Sequence, residues 1–423
     1  MRRIDGGRRW LLCRRAATSL VAVVLAACGG GDGGAGPGPV SPPPGTPPVT
    51  TPVAPPPTLA VSGPFGSAAR FTAELSVGTR YAYTTTWGIR GGVRGNAFFV
   101  WDALPDAPLL VDSVIVADAG TLGDVQLVED ANLLVVAVEP APRGAIVLYD
   151  VTDRTRPRLL ARYETANTRN GVHTATVARV GGRLHGFLCI NPSASEPARL
   201  VIVDLADPAA PRELWVRALG QPFVHDVFVR DGVLLTAEWD AGLQAWDLGG
   251  AGRGGSPANP VSLGSVATVG GDVHNVWWLR DATSGARYAL VGEEGPGTVG
   301  SSASGDIHVV DVSDWGAMRE VAVFTVPNAG AHNFWVDEAR GVLYAAYYNS
   351  GVQALDVRGA LGECAASARD ARGRCDLARA GRWLGRALHD RGTYVWGVEG
   401  APNGTVLATD MLRGLWRVGR VAP

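Results

Sequence analysis

Short, almost uniformly apolar runs recur along most of this chain, and each of them ends at an aspartate. Turn sequences rich in Gly, Asn, Asp and Pro separate the runs, which return at intervals of about 50 residues. A strand with one buried face alternates between apolar and polar residues, so these runs predict strands that are covered on both faces. The runs are FFVWD ending at Asp102, IVLYD at Asp150, LVIVD at Asp204, LQAWD at Asp247, IHVVD at Asp311 and VQALD at Asp356.

Each run is the third of four short strands that the pattern predicts within one repeat. An apolar strand and a tight turn precede the run, and a Pro-containing turn such as DRTRPRLL follows several of them. The aspartate is expected to accept backbone N–H groups in that turn. Four-stranded units packed face to face around an axis form a β-propeller, so we predict an all-β, seven-bladed propeller, although six or eight blades also fit the period. The first six predicted blades span 70–118, 122–166, 171–220, 223–269, 272–327 and 330–390.

The last repeat, which begins at TYVWGVEG, contains only three predicted strands. A propeller has to join its last blade to its first, because unpaired strand edges otherwise remain open. We therefore predict that the missing outer strand comes from the start of the domain, around TLAVS at 58–62.

One of the runs resembles a known repeat. LVIVD at 200–204, followed by DLADPAAPREL, is similar to the LVIVD-repeat family of bacterial surface β-propeller lipoproteins, and IHVVDVSDWGAMREVAVF and IVLYDVTDRTRPRLLARY match the same phrase more loosely. The resemblance covers most of 95–358 and implies a propeller at the cell surface. It implies little about activity, because propellers include enzymes, receptors and scaffolds.

The N-terminus is typical of an exported protein. An arginine-rich start is followed by ATSLVAVVLAA, an apolar core shorter than the roughly 20 residues that span a bilayer. Leu25-Ala26-Ala27-Cys28 resembles a lipobox, which implies a signal peptide over 1–27 and acylation of Cys28; an ordinary signal peptide with a Cys at its cleavage site is the alternative. Residues 28–57 are rich in Gly and then Pro and predict an extended tether, so the propeller occupies 58–423. We expect a lipid-anchored protein of the cell envelope, at the outer membrane or cell surface.

Charge and cysteine content restrict the function further. The formal net charge is −2, and no basic run occurs beyond the signal peptide, so nucleic acid is excluded as a partner. Cys189 lies in an apolar strand and is expected to be a buried thiol. Cys364 and Cys375 flank a polar loop, which predicts a disulfide in an exported protein. That loop follows the third strand of blade 6, and we expect it on the propeller face opposite the histidines described next.

Four of the seven histidines occur in one local phrase, at the start of the first strand of a repeat. First strands line the central channel of a propeller, so their starts open on one face. GVHTATV, VHDVFV, DVHNVWWL and AHNFWV contain His173, His225, His274 and His332 in that order.

Two interpretations of these histidines stay open. In the first they are four separate structural clasps, similar to the His–Asp pairs of WD-repeat propellers, with His225 bonded to Asp240 and His332 to Asn349. In the second they are ligands of a metal such as Fe, Cu or Zn. Carotenoid-cleaving oxygenases are similar in this one respect, since four axial histidines hold iron in their propeller.

The centre of a metal site is predicted at His225 and His274. Because imidazole is short, two or three histidines are expected to share a ligand more readily than four, and His173 and His332 would have to reach across the channel. Glu293 and its neighbour Glu294 lie in a Gly/Ser-rich insertion at 292–306, which fits either a Ca²⁺ site or a solvated loop. Asp226 is predicted to belong to this centre as well, with Glu238 or Glu293 as a fourth ligand, and Asn275 is a further central-channel candidate.

No nucleophile elbow, phosphate loop or Cys-x-x-Cys motif occurs in the sequence. The sequence therefore favours a lipid-anchored binding or scaffold propeller with a protein or glycan partner over an enzyme. The alternative is a metal-dependent oxidoreductase or hydrolase that uses the histidines at the central channel.

Overall fold

The computed structural model of the protein describes five segments of the chain: 53–66, 69–139, 143–219, 223–280 and 287–421. The predicted signal peptide, the lipidation site Cys28 and the tether up to residue 52 lie outside the described residues. No helix within the described segments is long and apolar enough to cross a membrane. The helical elements there are single 3₁₀ turns at Glu129–Ala131, Trp315–Ala317 and Ala366–Ala368.

Seven four-stranded antiparallel sheets form a β-propeller ring, which confirms the predicted fold class and blade count. From blade 1 to blade 7 the innermost strands are Phe71–Val77, Val125–Val128, Val172–Val180, Asp226–Arg230, Val273–Arg280, Phe334–Asp337 and Val395–Gly400. The second strands are Tyr81–Trp87, Leu133–Val138, Arg183–Ile190, Val233–Ala237, Arg287–Glu293, Val342–Ala346 and Val406–Asp410. The third strands are Ala97–Asp102, Ala145–Asp150, Arg199–Asp204, Leu243–Asp247, Ile307–Asp311, Val352–Asp356 and Gly414–Val418. The outermost strands are Leu109–Ile115, Arg158–Tyr163, Arg212–Ala218, Val261–Val266, Arg319–Phe324, Trp383–Ala387 and Val61–Phe65.

The third strands are the apolar runs, and blade 2 shows why they do not alternate. Successive residues of a strand point to opposite faces of the sheet. Ile146 and Leu148 pack against blade 3, whereas Val147 and Tyr149 pack against blade 1, and all four are buried. Both faces of the blade therefore contribute to the core.

The aspartates that end the third strands organise the following turns, as predicted. Asp204 accepts the N–H of Ala206 at 2.9 Å and binds Arg183 and Arg212 at 3.0 and 2.9 Å. Its hydrogen bond from Ala206 and the two guanidinium groups outweigh the effect of burial and lower the pKa of Asp204. The strand ends here because the Asp204 carboxylate, and not a neighbouring strand, accepts the next backbone N–H.

The ring is closed by an N-terminal strand, as predicted. Val61–Phe65 pairs antiparallel with Gly414–Val418 and supplies the outer strand of blade 7, a few residues later than expected. The stretch before it contacts blade 6 instead, since Leu59 N–H and the Pro57 carbonyl bond the backbone of Arg386. The closing strand removes the sheet edge that blade 7 would otherwise expose.

Cys364 and Cys375 form the predicted disulfide, but their loop does not lie where it was expected. It leaves blade 6 after the third strand and then folds along the outer edge of blade 5. There Cys375–Asp376 pairs in parallel with Arg319–Phe324 and becomes a fifth strand of that sheet. Backbone pairing with an open outer edge positions this loop. Cys189 is a buried free thiol, as expected.

Two hairpins extend from the turns that join second and third strands, on the face where the innermost strands begin. Ile89–Arg90 pairs with Val93–Arg94 in blade 1. In blade 5 the predicted Gly/Ser-rich insertion contains Gly295–Thr298 paired with Ser302–Ser304. The second hairpin reaches blade 7, where Tyr394 Oη donates to the Ser302 carbonyl at 3.4 Å.

Candidate metal centre

The four repeated histidines occupy one structural position, at the entry of the innermost strand. In blades 3 and 5 the pairing register shifts at His173 and at His274, which is the signature of a β-bulge. In blades 4 and 6 the N–H groups of His225 and His332 each donate at 2.9 Å to the last carbonyl of the second strand. A bulge re-aims a side chain, and here it directs the imidazole towards the channel axis.

The histidines form a continuous arc rather than reaching across the channel. Ring centroids are 4.3 Å apart for His173 and His225, 3.7 Å for His225 and His274, and 4.2 Å for His274 and His332. Two tryptophans complete the circle: Trp396 of blade 7 lies 4.4 Å from His332, and Trp87 of blade 1 lies 5.1 Å from Trp396 and 5.9 Å from His173. We call these six side chains the axial ring.

Hydrogen bonds fix the two ends of the histidine arc. His173 Nδ1 lies 2.8 Å from Glu139 Oε1, and His332 Nδ1 lies 2.7 Å from the Trp396 carbonyl oxygen. His173 Nε2 then contacts His225 Nε2 at 2.7 Å, whereas His332 Nε2 is left for another partner. A metal-bound histidine commonly donates its other N–H to a carboxylate or a backbone carbonyl, so both ends have the outer contacts of a ligand.

The middle of the arc lacks such partners. His225 Nδ1 and both ring nitrogens of His274 are buried without a hydrogen bond among the described residues. The closest acidic group is Glu294, whose Oε2 lies 3.5 Å from His274 Nε2. Buried polar atoms are rarely left unpaired in folded proteins, because each such atom costs about 1–3 kcal/mol.

Burial favours the neutral form, which binds metals, in three of the four histidines. Desolvation, followed by the neighbouring imidazoles, lowers the pKa of His225 and of His274 well below the ordinary range, and burial does the same to the pKa of His332. His173 differs: burial opposes its protonation, but the adjacent Glu139 outweighs that effect and raises the pKa of His173. Neutral imidazole nitrogens are the ones available to a metal ion.

The ligand geometry suits one ion. Each of three residues offers one ligand atom, and these atoms lie within 4.8 Å of one another; the residues are His225, His274 and Glu294. Tyr348 Oη donates to Glu294 Oε1 and orients that carboxylate. Two imidazoles and a carboxylate match Zn, Cu or Fe better than Ca²⁺, which takes oxygen ligands.

Two aromatic residues with unusual backbone conformations cover the arc. Trp239 has φ of +49° and stacks on His225 with ring centroids 5.8 Å apart, and Tyr348 has φ of +37° and lies 5.0 Å from His332. Backbone bonds to the following blade hold both residues, through Val273 and Val395 respectively. Left-handed conformations of this kind are costly for bulky residues and concentrate at functional sites.

The other predicted site residues lie elsewhere. Glu238 accepts Thr236 Oγ1 at 2.6 Å within its own blade, and Glu293 lies 2.9 Å from His308 Nε2. Asp226 and Asn275 line the channel below the axial ring. Glu294, rather than Glu238 or Glu293, therefore reaches the histidines.

A second group of acidic side chains and histidine forms an ion-pair network instead. Glu293 and Glu320 flank His308 at 2.9 and 3.2 Å, and Arg374 also binds Glu320. Burial opposes protonation of His308, but these two carboxylates raise its pKa to about 9. Asp306 lies close to Glu293 and His308 and completes a second group of possible metal ligands, and burial raises the pKa of Asp306.

The clasp pairs expected from the WD-repeat analogy do not form in the described part of the chain. His225 contacts His173 and not Asp240, with their Nε2 atoms 2.7 Å apart. Asn349 donates to the Asn328 carbonyl at 2.8 Å, whereas His332 bonds the backbone of blade 7.

Sequence reasoning missed Glu139, Trp87 and Trp396. Trp396 in TYVWGV occupies the same place as the histidine of GVHTATV, so aligning all seven repeats would have found it. No family model matches this chain, and no curated protein sequence matches it either.

Proposed function

We propose that this chain is a metal-binding β-propeller, in which His225, His274 and Glu294 hold one divalent transition-metal ion with His173 and His332 beside it. The observation that supports the proposal is a contiguous arc of buried imidazoles in which three nitrogens have no hydrogen-bond partner among the described residues. A packing device would give each histidine its own partner. A shared ion satisfies the unpaired nitrogens together, because neutral imidazole nitrogens are good ligands for Zn, Cu and Fe.

The enclosure of the arc favours a redox or structural ion over a hydrolytic one. His225, His274 and His332 are at most 6% exposed, and aromatic side chains surround them. A hydrolytic zinc site keeps a position open to water. The surrounding Trp and Tyr rings instead provide a dry, polarisable shell of the kind that sets a reduction potential.

We further propose that this propeller acts in the cell envelope, attached through an acylated Cys28 and the 28–57 tether, and that its blades are LVIVD-type repeats. The sequence patterns support this, and so does the Cys364–Cys375 disulfide, since disulfides persist in oxidising compartments. A binding or scaffold role towards a protein or glycan is compatible with the fold and stays a prediction.

Metal analysis of untagged protein tests the proposal. The protein is purified from an exporting host, stripped with chelator and reconstituted in turn with Zn²⁺, Cu²⁺ and, without oxygen, Fe²⁺. We expect close to one equivalent of at least one metal. A His225→Ala, His274→Ala double variant should lose that equivalent, and Glu294→Gln should weaken binding by about tenfold or more.

His389→Ala is the matched control, because His389 lies outside the axial ring. The control should bind like the wild type, and circular dichroism should show the same strand content for all variants. Wild-type protein that takes up none of the three metals would overturn the proposal. The same conclusion follows if the folded double variant retains the wild-type stoichiometry.

A further inference from the structure

A polar cavity fills the central channel on the inner side of the axial ring. It has a volume of about 420 Å³, and residues from the innermost strands of all seven blades line it. The residues that directly follow the four histidines, and their counterparts in blades 1 and 2, form the deep end: Glu74, Asp124, Thr174, Asp226, Asn275 and Asn333. Further along the strands the wall consists of Ser76, Gln126, Thr176, Phe228, Trp277, Trp335 and Glu399.

The charge of this cavity has one sign. Four carboxyl groups line it, and none of the lining residues is Arg, Lys or His. Asp226 Oδ1 accepts the Val227 N–H at 2.7 Å, and Glu399 Oε2 accepts the Val77 N–H at 2.8 Å. Within the described segments the second oxygen of each of these two carboxyls has no hydrogen-bond partner. A cationic ligand is favoured over an anionic one, because a carboxylate that ionises in this partly desolvated channel attracts a cation and repels an anion.

An unpaired amide lies at the deep end of the cavity, with its oxygen packed towards Gly292 of the same blade. Asn275 is 3% exposed and lines the cavity, and its Oδ1 is buried without a partner. Asn333, which occupies the same position in the next blade, donates instead to Glu74 Oε1 at 2.6 Å. Neighbouring blades thus present one satisfied and one unsatisfied amide at the deep end of the channel.

One side of the cavity wall is aromatic. Phe228, Trp277 and Trp335 come from three consecutive blades and are each only half-buried, and the Phe228 and Trp277 rings lie 5.2 Å apart. Glu399 of blade 7 follows them around the wall. Arg230 covers one face of Phe228 and Arg420 covers one face of Trp335, each 5.1 Å from the ring centroid, so two of the three rings already bind a cation on one side. Aromatic faces next to carboxylates attract organic ammonium groups through cation–π and Coulomb interactions together.

The lining groups are held in place by bonds between blades. Gln126 Nε2 donates to the Val177 carbonyl at 2.9 Å, and Asp124 Oδ2 accepts the Ala175 N–H at 2.8 Å. A binding site that is rigid before its ligand arrives loses less entropy on binding. The carboxyls of the cavity do not converge on one point, as ligands of a bare metal ion must. Among the described residues, none of them belongs to a group of three possible ligands close enough to share an ion.

We propose that the channel binds an organic cation, with its ammonium group among the carboxyls at the deep end and its apolar part against Phe228, Trp277 and Trp335. The volume is in the range of small-ligand sites. This inference does not depend on the metal centre, because no residue that lines the cavity belongs to the axial ring.

Isothermal titration with choline and benzyltrimethylammonium tests the inference, and 3,3-dimethyl-1-butanol serves as the uncharged analogue of choline. We expect the two cations to bind and the alcohol to bind at least about tenfold more weakly, since the charge supplies the discrimination. The titrations are run at pH 9, where Glu399 is ionised because its pKa is about 8, and under these conditions Glu399→Gln and Trp335→Leu should each weaken cation binding by about tenfold. The titrations are run on metal-free and on metal-reconstituted protein, so a failure of the metal centre is seen separately.

Two control variants carry the same substitutions outside the channel. Trp215 and Glu213 lie on the outermost strand of blade 3, and Trp215→Leu and Glu213→Gln should bind the cations like the wild type. Equal affinity for choline and its uncharged analogue would refute the inference. So would the absence of any binding at millimolar cation concentration, or wild-type affinity in both channel variants.

Discussion

The Nε2 atoms of His173 and His225 lie 2.7 Å apart, a distance at which one proton has to be shared between them. Glu139 accepts the Nδ1 proton of His173 and also raises the pKa of that ring; while His173 is neutral, its Nε2 is an acceptor. His225 must then donate from Nε2, which leaves its Nδ1 as a buried acceptor without a partner among the described residues. Glu139 therefore sets the tautomer at one end of the arc and, through it, the lone pairs that the rest of the arc offers to a metal.

Replacing Glu139 should weaken metal binding without removing a ligand. In Glu139→Gln the amide can donate as well as accept, so the tautomer of His173 is no longer fixed. Changes in this outer layer of contacts typically reduce metal affinity by about 10–100-fold. Competition with a chromophoric chelator measures the change. Glu164→Gln in the same blade, where Glu164 pairs with Arg143 and Arg162, is the control; equal affinities in both variants would remove Glu139 from the site.

Gly397 should be intolerant of a side chain because the Glu74 carboxyl, which accepts a hydrogen bond from Asn333 through Oε1, packs against it with Oε2. A Cβ at this position would lie 2.7 Å from both Glu74 Oε2 and Leu75 Cδ2. We expect Gly397→Ala to reduce the free energy of unfolding by about 1–3 kcal/mol through this overpacking. Urea unfolding measures it. In the control, Gly316→Ala, the nearest atom to a new Cβ is 3.5 Å away, so an equal loss in both variants would contradict the steric explanation.

The disulfide should stabilise the fifth strand of blade 5 more than the propeller as a whole. Arg374, next to Cys375, binds Glu320 of blade 5 and Asp370 of its own loop. We expect a Cys364→Ser, Cys375→Ser variant to lose about 2–3 kcal/mol, as for a short closed loop. Hydrogen exchange should accelerate in 357–382 and in Arg319–Phe324, while the innermost strands remain protected. Uniform acceleration over all seven blades would show that the bridge supports the entire ring.

Periodicity predicted the fold well, because a propeller repeats one packing solution and buries both faces of each third strand. The histidines were found for the same reason, since their position at the entry of the innermost strand recurs in four blades. Their carboxylate partner, Glu294, was not identified from the sequence, because adjacent residues of a strand point to opposite sides. Glu293 ends the second strand of blade 5 and turns to His308, whereas Glu294 turns to His274. Single sequences contain no information that decides between two neighbouring glutamates.

Glu139 and Trp87 could not be predicted from local pattern for a different reason. Each lies at or just after the end of a second strand. Glu139 reaches His173 across the contact between blades 2 and 3, and Trp87 meets Trp396 of blade 7 because the ring closes. The disulfide was predicted from the spacing of the two cysteines and from the expected export of the protein, but the position of its loop in the fold was not predicted. Pairing of Cys375–Asp376 with the outer edge of blade 5 is a contact between repeats, which the sequence of one repeat does not encode.

The channel carboxyl Glu399 should make stability fall as pH rises from mildly acidic to mildly basic conditions. Burial raises the pKa of Glu399 to about 8, against the opposing hydrogen bond from Val77. The unfolded chain releases this proton at the ordinary glutamate pKa, so between that value and about pH 8 the folded protein binds more protons, and stability decreases with pH. Glu399→Gln keeps an acceptor for Val77 and has nothing to titrate. We therefore expect the variant to match the wild type near pH 5 and to be more stable by about 1–2 kcal/mol near pH 9.

Thr176→Val is the control, because it removes a hydrogen bond to the Val227 carbonyl that does not titrate. This variant should lower stability equally at both pH values. Thermal unfolding across this range measures all three proteins. Parallel wild-type and Glu399→Gln curves would mean that solvent in the channel already hydrates this carboxylate.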